Sequence, residues 1–113
     1  MKPYQGKYLP EHQIRELIHQ SGIPTFPRPQ GIPDNFRITL SDKGAGIKYV
    51  YPNNEGIYVR VMPGKPHSSN PCQQKPYVTQ VKNGQSLDKY GNIVNKKSPD
   101  AHIPIDEFMY RNL

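Results

Sequence analysis

The sequence predicts an α+β fold in which an N-terminal helix packs on a small twisted antiparallel sheet of about four to five strands. One amphipathic helical pattern lies near the start of the chain, and short β-branched and aromatic runs follow it, separated by Gly, Pro and Asn turns. The 113 residues allow one compact domain. Within it we expect residues 1–43 to hold the helix and a proline-rich connector, and residues 44–113 to form the sheet core.

The helix is predicted over residues 10–22. Ile14, Leu17 and Ile18 have the i, i+3, i+4 spacing of an apolar helix face, and a glycine is placed to end the segment. Residues 23–35 contain four prolines and one glycine, so we expect an irregular connector there.

The sheet is predicted from alternating runs that end at turn residues. Residues 47–51 and 57–62 have the pattern of a hairpin, and the dipeptide formed by Asn83 and Gly84 suits a type I′ turn. The clearest expected strands lie at residues 47–51, 57–62, 77–82 and 85–87, with residues 36–40 as a candidate short strand and a turn at 88–92 ahead of residues 93–94.

The charge balance favours an anionic partner. Fifteen Lys and Arg against nine Asp and Glu give a net charge of +6, which speeds encounters with polyanions such as RNA. The cations are scattered and no basic amphipathic helix accompanies them, which argues against a polybasic membrane patch. No apolar run approaches the roughly 20 residues of a membrane span, and no signal peptide is visible. We therefore expect a soluble domain that does not insert into membranes.

The sequence does not have the residue patterns that disulfides, zinc sites and phosphate-binding loops require. Cys72 is the single cysteine, so an internal disulfide is excluded. His12 and His19 are seven residues apart on the predicted helix, about 10 Å along its axis, which is too far to share a zinc ion. The glycines of segment 44–46 are not followed by the Lys-Ser/Thr pair of a phosphate-binding loop. We expect no metal and no cofactor.

Metal-independent RNA cleavage uses residue types that the chain does contain. That reaction needs a base for the ribose 2′-OH, cations for the phosphate and an acid for the leaving oxygen. Histidine serves as base or acid near neutral pH, and Arg and Lys hold phosphate. His102 lies between apolar residues in a predicted turn, where the alternative is a structural histidine bound to the backbone of the tail.

Arg60 is the most informative cation in the sequence. It lies in the middle of a Val-Arg-Val strand pattern, so it either points to solvent or is held on a functional sheet face. Tyr58 and Met62, which share its predicted face, are unusual neighbours for a purely solvated face. Lys48 lies in the other arm of the hairpin and either projects to the same side or is solvated.

Aromatic and loop residues supply candidate RNA contacts. Tyr49, Tyr58 and Tyr77 can stack on bases as in single-strand binders, or instead belong to the core and its rim. Lys65 and His67 lie in the loop after the second hairpin strand and are further candidates, His67 being otherwise an exposed loop residue.

Five segments together resemble the C-terminal toxin modules of bacterial polymorphic toxins. The segments are 46–50, 59–66, 76–78, 83–94 and 98–104. The modules meant are those of contact-dependent inhibition and Rhs-type proteins and of colicin-like RNases. They commonly have the small helix-plus-sheet fold shared by barnase, EndoU, colicin E5/D and RelE. The resemblance covers about residues 44–108.

The resemblance implies metal-free RNA cleavage on a basic concave sheet. It implies phosphate binding for Lys48 and Arg60, acid/base work for His102, and a hydrogen bond or turn cap for Ser98. The implied partners are RNA (tRNA or rRNA) and an acidic immunity protein that neutralises a monomeric toxin. The implied place of action is the cytoplasm of a target cell, reached by secretion or by delivery within a larger protein.

Two other functions remain open from the sequence. The first is a non-catalytic module that binds nucleic acid through the same basic, tyrosine-rich face. The second is an interaction domain bound by an acidic partner. Phosphate contacts make the affinity for nucleic acid fall steeply with salt, so an affinity that does not change with salt would count against the nucleic-acid functions.

Overall fold

The computed structural model describes residues 9–22, 26, 28–40, 46–69 and 71–110. One helix, α1 (Glu11–Gln20), precedes an antiparallel sheet of seven strands in this part of the chain, which confirms the α+β prediction. The strands are β1 (Arg37–Leu40), β2 (Ile47–Val50), β3 (Ile57–Met62), β4 (Tyr77–Lys82), β5 (Gln85–Leu87), β6 (Ile93–Val94) and β7 (Ile103–Pro104). The sheet has more strands than the expected four to five, and two of the strands, β6 and β7, are only two residues long.

The sheet follows the order of the chain from β1 to β6, with each strand antiparallel to the next. The last strand, β7, returns to β4. Both β5 and β7 pair with β4, at different residues. Strand β5 pairs with Gln80 to Lys82, whereas β7 pairs with Tyr77 and Val78. The tail of the chain is thereby brought beside the beginning of the central strand.

The turn between β4 and β5 has the predicted conformation. Asn83 has φ 51° and Gly84 has φ 83°. Two consecutive residues with positive φ are what a type I′ turn requires, and Asn-Gly is the dipeptide that adopts them most readily. The sequence therefore fixes the register of this hairpin locally.

One face of the sheet packs against the helix. Ile14 and Ile18 of α1 are buried there, as the apolar spacing predicted, whereas Leu17 is 41% exposed. The sheet contributes fully buried side chains to the same core, namely Ile47, Tyr49, Val59, Val61 and Val78. Because side chains alternate along a strand, the residues between these point to the opposite surface, here called the second face. Its central residues are Lys48, Tyr58, Arg60, Met62, Tyr77 and Thr79.

A half-buried ionic cluster joins the helix to the sheet. The Oε2 atom of Glu11 accepts hydrogen bonds from Tyr49 Oη and Arg15 Nε, both at 3.0 Å. Arg28 also pairs with the Glu11 carboxylate, donates to the carbonyl of Ile32 at 3.1 Å, and lies 5.1 Å from the centre of the Tyr49 ring. Burial and the nearby Glu11 carboxylate raise the pKa of Tyr49, so its phenol stays protonated and donates. The cluster fixes both the helix and the connector on the sheet.

We expect Glu11→Gln to weaken the fold and change its response to acid. Burial raises the pKa of Glu11, but the hydrogen bonds from Tyr49 and Arg15 and the charge of Arg28 outweigh that effect, and the pKa lies below its usual value. A carboxylate with a lowered pKa stabilises the folded state above its unfolded pKa of about 4.3, and this contribution is lost as the pH falls through the folded pKa. The variant should therefore lose about 2 kcal/mol in urea unfolding at pH 7. It should also lose less additional stability than the wild type on going to pH 3.

The control for this substitution is Glu16→Gln, because Glu16 is exposed on the same helix. It should unfold like the wild type at both pH values. An equal acid response in Glu11→Gln and the wild type would show that the cluster does not hold Glu11 ionised.

Candidate functional site

A row of polar side chains crosses the middle of the second face at right angles to the strands. The register places Thr39 opposite Lys48, Lys48 opposite Arg60, and Arg60 opposite Thr79. Directly opposed residues of antiparallel strands have Cβ atoms about 4.5–5.5 Å apart and point to the same side. This polar row therefore brings two cations and two hydroxyl groups together, and Lys48 does project to the side of Arg60.

Two atoms of the polar row are buried without partners. Arg60 Nε and Thr79 Oγ1 are both shielded from solvent, and within the described residues neither has a hydrogen-bond partner. Thr79 as a whole is only 5% exposed, while Arg60 remains partly accessible. An unsatisfied buried donor or acceptor costs about 1–3 kcal/mol, and native proteins contain few of them. Such a pair on directly opposed residues marks a place where a ligand with acceptor oxygens can bind.

Lys48 is held over the second face by an aromatic ring. Its Nζ atom lies 4.1 Å from the centre of the Tyr58 ring, which is cation–π geometry. Tyr58 precedes Arg60 by two residues and so shares its face, and both side chains are partly exposed. The contact orients the lysine on this surface.

His102 lies at the tail side of the same surface. Its ring packs edge-on against Tyr77, with 5.1 Å between the ring centres. Tyr77 precedes Thr79 by two residues on β4, so its side chain points to the second face. Because β7 pairs with the start of β4, the pairing of the tail brings the histidine next to the polar row.

Both ring nitrogens of His102 have partners. Nδ1 lies 2.9 Å from the carbonyl oxygen of Ser98, and Nε2 lies 3.1 Å from the side-chain amide nitrogen of Gln73. A carbonyl oxygen only accepts, so Nδ1 carries the proton, and Nε2 accepts from the amide with its lone pair. His102 is 9% exposed. These contacts fit the tautomer with the proton on Nδ1, in which the lone pair of Nε2 points to the Gln73 amide.

A capped turn places His102. The Oγ atom of Ser98 accepts from the N–H of Asp100 at 3.1 Å and caps the 3₁₀ turn Pro99–Ala101, with proline in the first position. Ser98 thus forms a turn cap with its side chain, and its backbone carbonyl holds the histidine.

The structure places the remaining candidate residues as follows. Tyr49 is fully buried on the helix-covered face and bound to Glu11, so the expectation that it stacks on RNA bases is wrong for this fold. Lys65 and His67 are exposed in the loop between β3 and β4. The backbone N–H of Lys65 donates to the carbonyl of Gln73 at 2.8 Å, which ties this loop to the neighbour of His102.

Thr79 and Gln73 are functional candidates that the sequence did not suggest. Thr79 follows Tyr77 by two residues on β4 and shares its face, but only the β3–β4 register places it opposite Arg60. Gln73 lies in a short 3₁₀ turn, Pro71–Gln73, within a loop. No local sequence pattern predicts its contact with His102.

His102 also borders a shallow cleft of about 220 Å³. Three carboxylates, those of Asp88, Asp100 and Glu107, and one cation, Lys89, line this cleft, so its net negative charge does not suit a phosphate. Among the described residues no group of three or more His, Cys, Asp or Glu side chains could hold a metal ion. No helix in the same part of the chain is long and apolar enough to cross a membrane.

Fold and site together define a small basic α+β domain with a cation-bearing sheet face beside a buried histidine. The family described as PT7 toxin protein matches residues 29–107, more than two thirds of the chain, and the chain belongs to this family. It is thus a bacterial toxin domain of the polymorphic-toxin kind. The match begins ahead of β1 and so includes the first edge of the sheet. No curated protein and no solved structure matches the chain.

Proposed function

We propose that this toxin domain is a metal-independent ribonuclease that cleaves cellular RNA through attack of a ribose 2′-OH on the adjacent phosphodiester. The observation that carries the proposal is the direct pairing of Lys48 with Arg60 on the second face, beside the Tyr77–His102 pair. A toxin fits delivery into target cells as part of a larger protein. We propose that the domain reaches the target cytoplasm in this way, acts as a monomer on tRNA or rRNA, and is neutralised by an acidic immunity protein.

The two paired cations hold the scissile phosphate. Arg60 offers a planar guanidinium that can donate two parallel hydrogen bonds to a phosphate, and Lys48 adds a second positive charge one strand away. Both side chains are partly exposed and can reach a bound strand. Cations fixed before the reaction stabilise the charge of a phosphorane without reorganising, which is where such sites gain most of their rate.

His102 supplies the base in this proposal. Nε2 releases the amide of Gln73 and takes the proton of the 2′-OH, while Nδ1 keeps its hydrogen bond to Ser98. The 2′-oxygen then forms a bond to phosphorus and the P–O5′ bond breaks. The leaving 5′-oxygen takes a proton from water, and the proton on Nε2 returns to solvent. The products are a 2′,3′-cyclic phosphate and a 5′-hydroxyl.

Tyr58 and Tyr77 flank the polar row and are partly exposed. They are suited to stack on the bases on either side of the bound phosphate, a sequence-tolerant contact worth about 1–3 kcal/mol per base. Lys65 and His67 would contact the strand where it leaves the sheet near the β3–β4 loop.

One observation favours a second function, RNA binding without cleavage. His102 is nearly buried and both its nitrogens are satisfied, which also describes a structural histidine that holds the tail. In that case the polar row would bind phosphate and leave the bond intact.

Incubation of the purified domain with tRNA and total RNA in EDTA separates the two functions. The wild type should cleave RNA, and His102→Asn should lose about 10²- to 10⁴-fold in rate while still binding RNA. An asparagine amide can still donate to the Ser98 carbonyl, so the tail should remain folded. RNA that stays intact after prolonged incubation with the wild type would contradict the ribonuclease function and support binding alone. Full activity in His102→Asn would show that His102 is not a catalytic residue.

A further inference from the structure

We propose that Arg60 Nε and Thr79 Oγ1 are the donors of a dedicated binding site for one phosphate group. The inference rests on the proposed function for the source of that phosphate, the RNA backbone. It adds Thr79 to the site as a residue that contacts the ligand. The binding itself does not depend on whether the RNA is then cut.

Arg60 Nε and Thr79 Oγ1 belong to directly opposed residues, and both lack a hydrogen-bond partner within the described residues. Arg60 and Thr79 are directly opposed on neighbouring strands, so their side chains rise from the same point of the second face. Both atoms are buried, and within the described part of the chain both lack a hydrogen-bond partner. Buried polar side chains normally have hydrogen-bond partners, and the buried His102 has one at each ring nitrogen. The hydroxyl of Thr79, a residue that is only 5% exposed, has none within the described part of the chain.

The chemistry of the two atoms selects an anion with several acceptor oxygens. The Nε–H of an arginine only donates, and a threonine hydroxyl can donate beside it. Lys48 follows in the same row, and the row itself contains no carboxylate to neutralise the cations. Met62 and Val81 are buried next to the pair on the same face, which lowers the local dielectric and strengthens a charged hydrogen bond. A tetrahedral oxyanion satisfies both donors and both positive charges, whereas a bridging water would satisfy only the donors.

The test compares Thr79→Val and Thr79→Ser in thermal unfolding with inorganic phosphate, against chloride at equal ionic strength. In chloride, Thr79→Val should melt at the same temperature as the wild type or higher, because it removes a buried unpaired hydroxyl without changing the volume. Phosphate should raise the melting temperature of the wild type and of Thr79→Ser. In Thr79→Val the apparent Kd for phosphate should be about tenfold weaker.

Two results would overturn the inference. One is a phosphate response in Thr79→Val equal to that of the wild type. The other is a lower melting temperature of Thr79→Val in chloride, which would show that the hydroxyl is already satisfied by water or protein.

The same variants separate this site from the ribonuclease proposal. A Thr79-dependent phosphate response in a protein that cuts no RNA would support the site and refute the ribonuclease. RNA cleavage with a phosphate response that does not depend on Thr79 would support the ribonuclease and refute the site.

Discussion

Replacing Arg60 by Gln should lower the rate of RNA cleavage by about 10²- to 10³-fold, the usual effect of removing one donor to a developing oxyanion. Glutamine lacks both the positive charge and the fork of donors that Arg60 directs to the second face. The fold should persist, because the lost Nε atom has no hydrogen-bond partner among the described residues. We therefore expect an unchanged or slightly higher melting temperature together with the loss of activity.

Lys96→Gln is the matched control for Arg60→Gln. It removes the same charge from an exposed residue just after β6, three strands away from β3 in the sheet order. Exposed charges at such a distance are largely screened at physiological salt, so this variant should cleave RNA within about twofold of the wild type. Wild-type activity in Arg60→Gln would contradict the assignment of Arg60 to the catalytic site. An equal loss in both variants would show that only the net charge matters.

Gly46→Ala should cause the largest loss of stability of the single substitutions considered. Gly46 is buried directly before β2, where an added Cβ would lie 2.1 Å from the carbonyl oxygen of Val61 and 2.8 Å from Met62 Sδ. The carbonyl belongs to the paired strand and cannot move without opening the β2–β3 ladder. We expect a loss of about 4 kcal/mol in urea unfolding, a large part of the 5–15 kcal/mol that stabilises a typical domain.

Gly84→Ala separates this clash from backbone strain. Gly84 has φ +83°, but nothing lies within 4 Å of an added Cβ, so the substitution should cost only the 1–2 kcal/mol or so of a left-handed residue. Equal losses in the two alanine variants would mean that the close approach of Gly46 to β3 is not a constraint on the fold.

The elements governed by local patterns could be predicted from the sequence. The predicted helix over residues 10–22 contains the observed α1 because its apolar spacing is strong, and the Asn-Gly turn fixes the β4–β5 hairpin. The strand β7 could not be recognised, because two residues that include a proline show no alternation. Its pairing with β4 is a long-range contact, and that contact is what brings His102 to Tyr77.

The site was only partly predictable because it depends on register. Arg60 was identified from an unusual Val-Arg-Val pattern, but its pairing with Lys48 and Thr79 is fixed by which residues of three strands face one another. Tyr49 illustrates the opposite case. Adjacent residues of a strand point to opposite faces, so Lys48 and Tyr49 cannot contact one ligand on the sheet, and alternation alone separates them.

The central claim is that the second face cuts RNA by 2′-OH attack without a metal. The most direct test is the end-group chemistry of RNA fragments that the purified wild-type domain produces in EDTA. We predict fragments that carry 2′,3′-cyclic phosphate and 5′-hydroxyl ends. Fragments with 5′-phosphate ends, or RNA that stays intact until a divalent metal is added, would contradict this account.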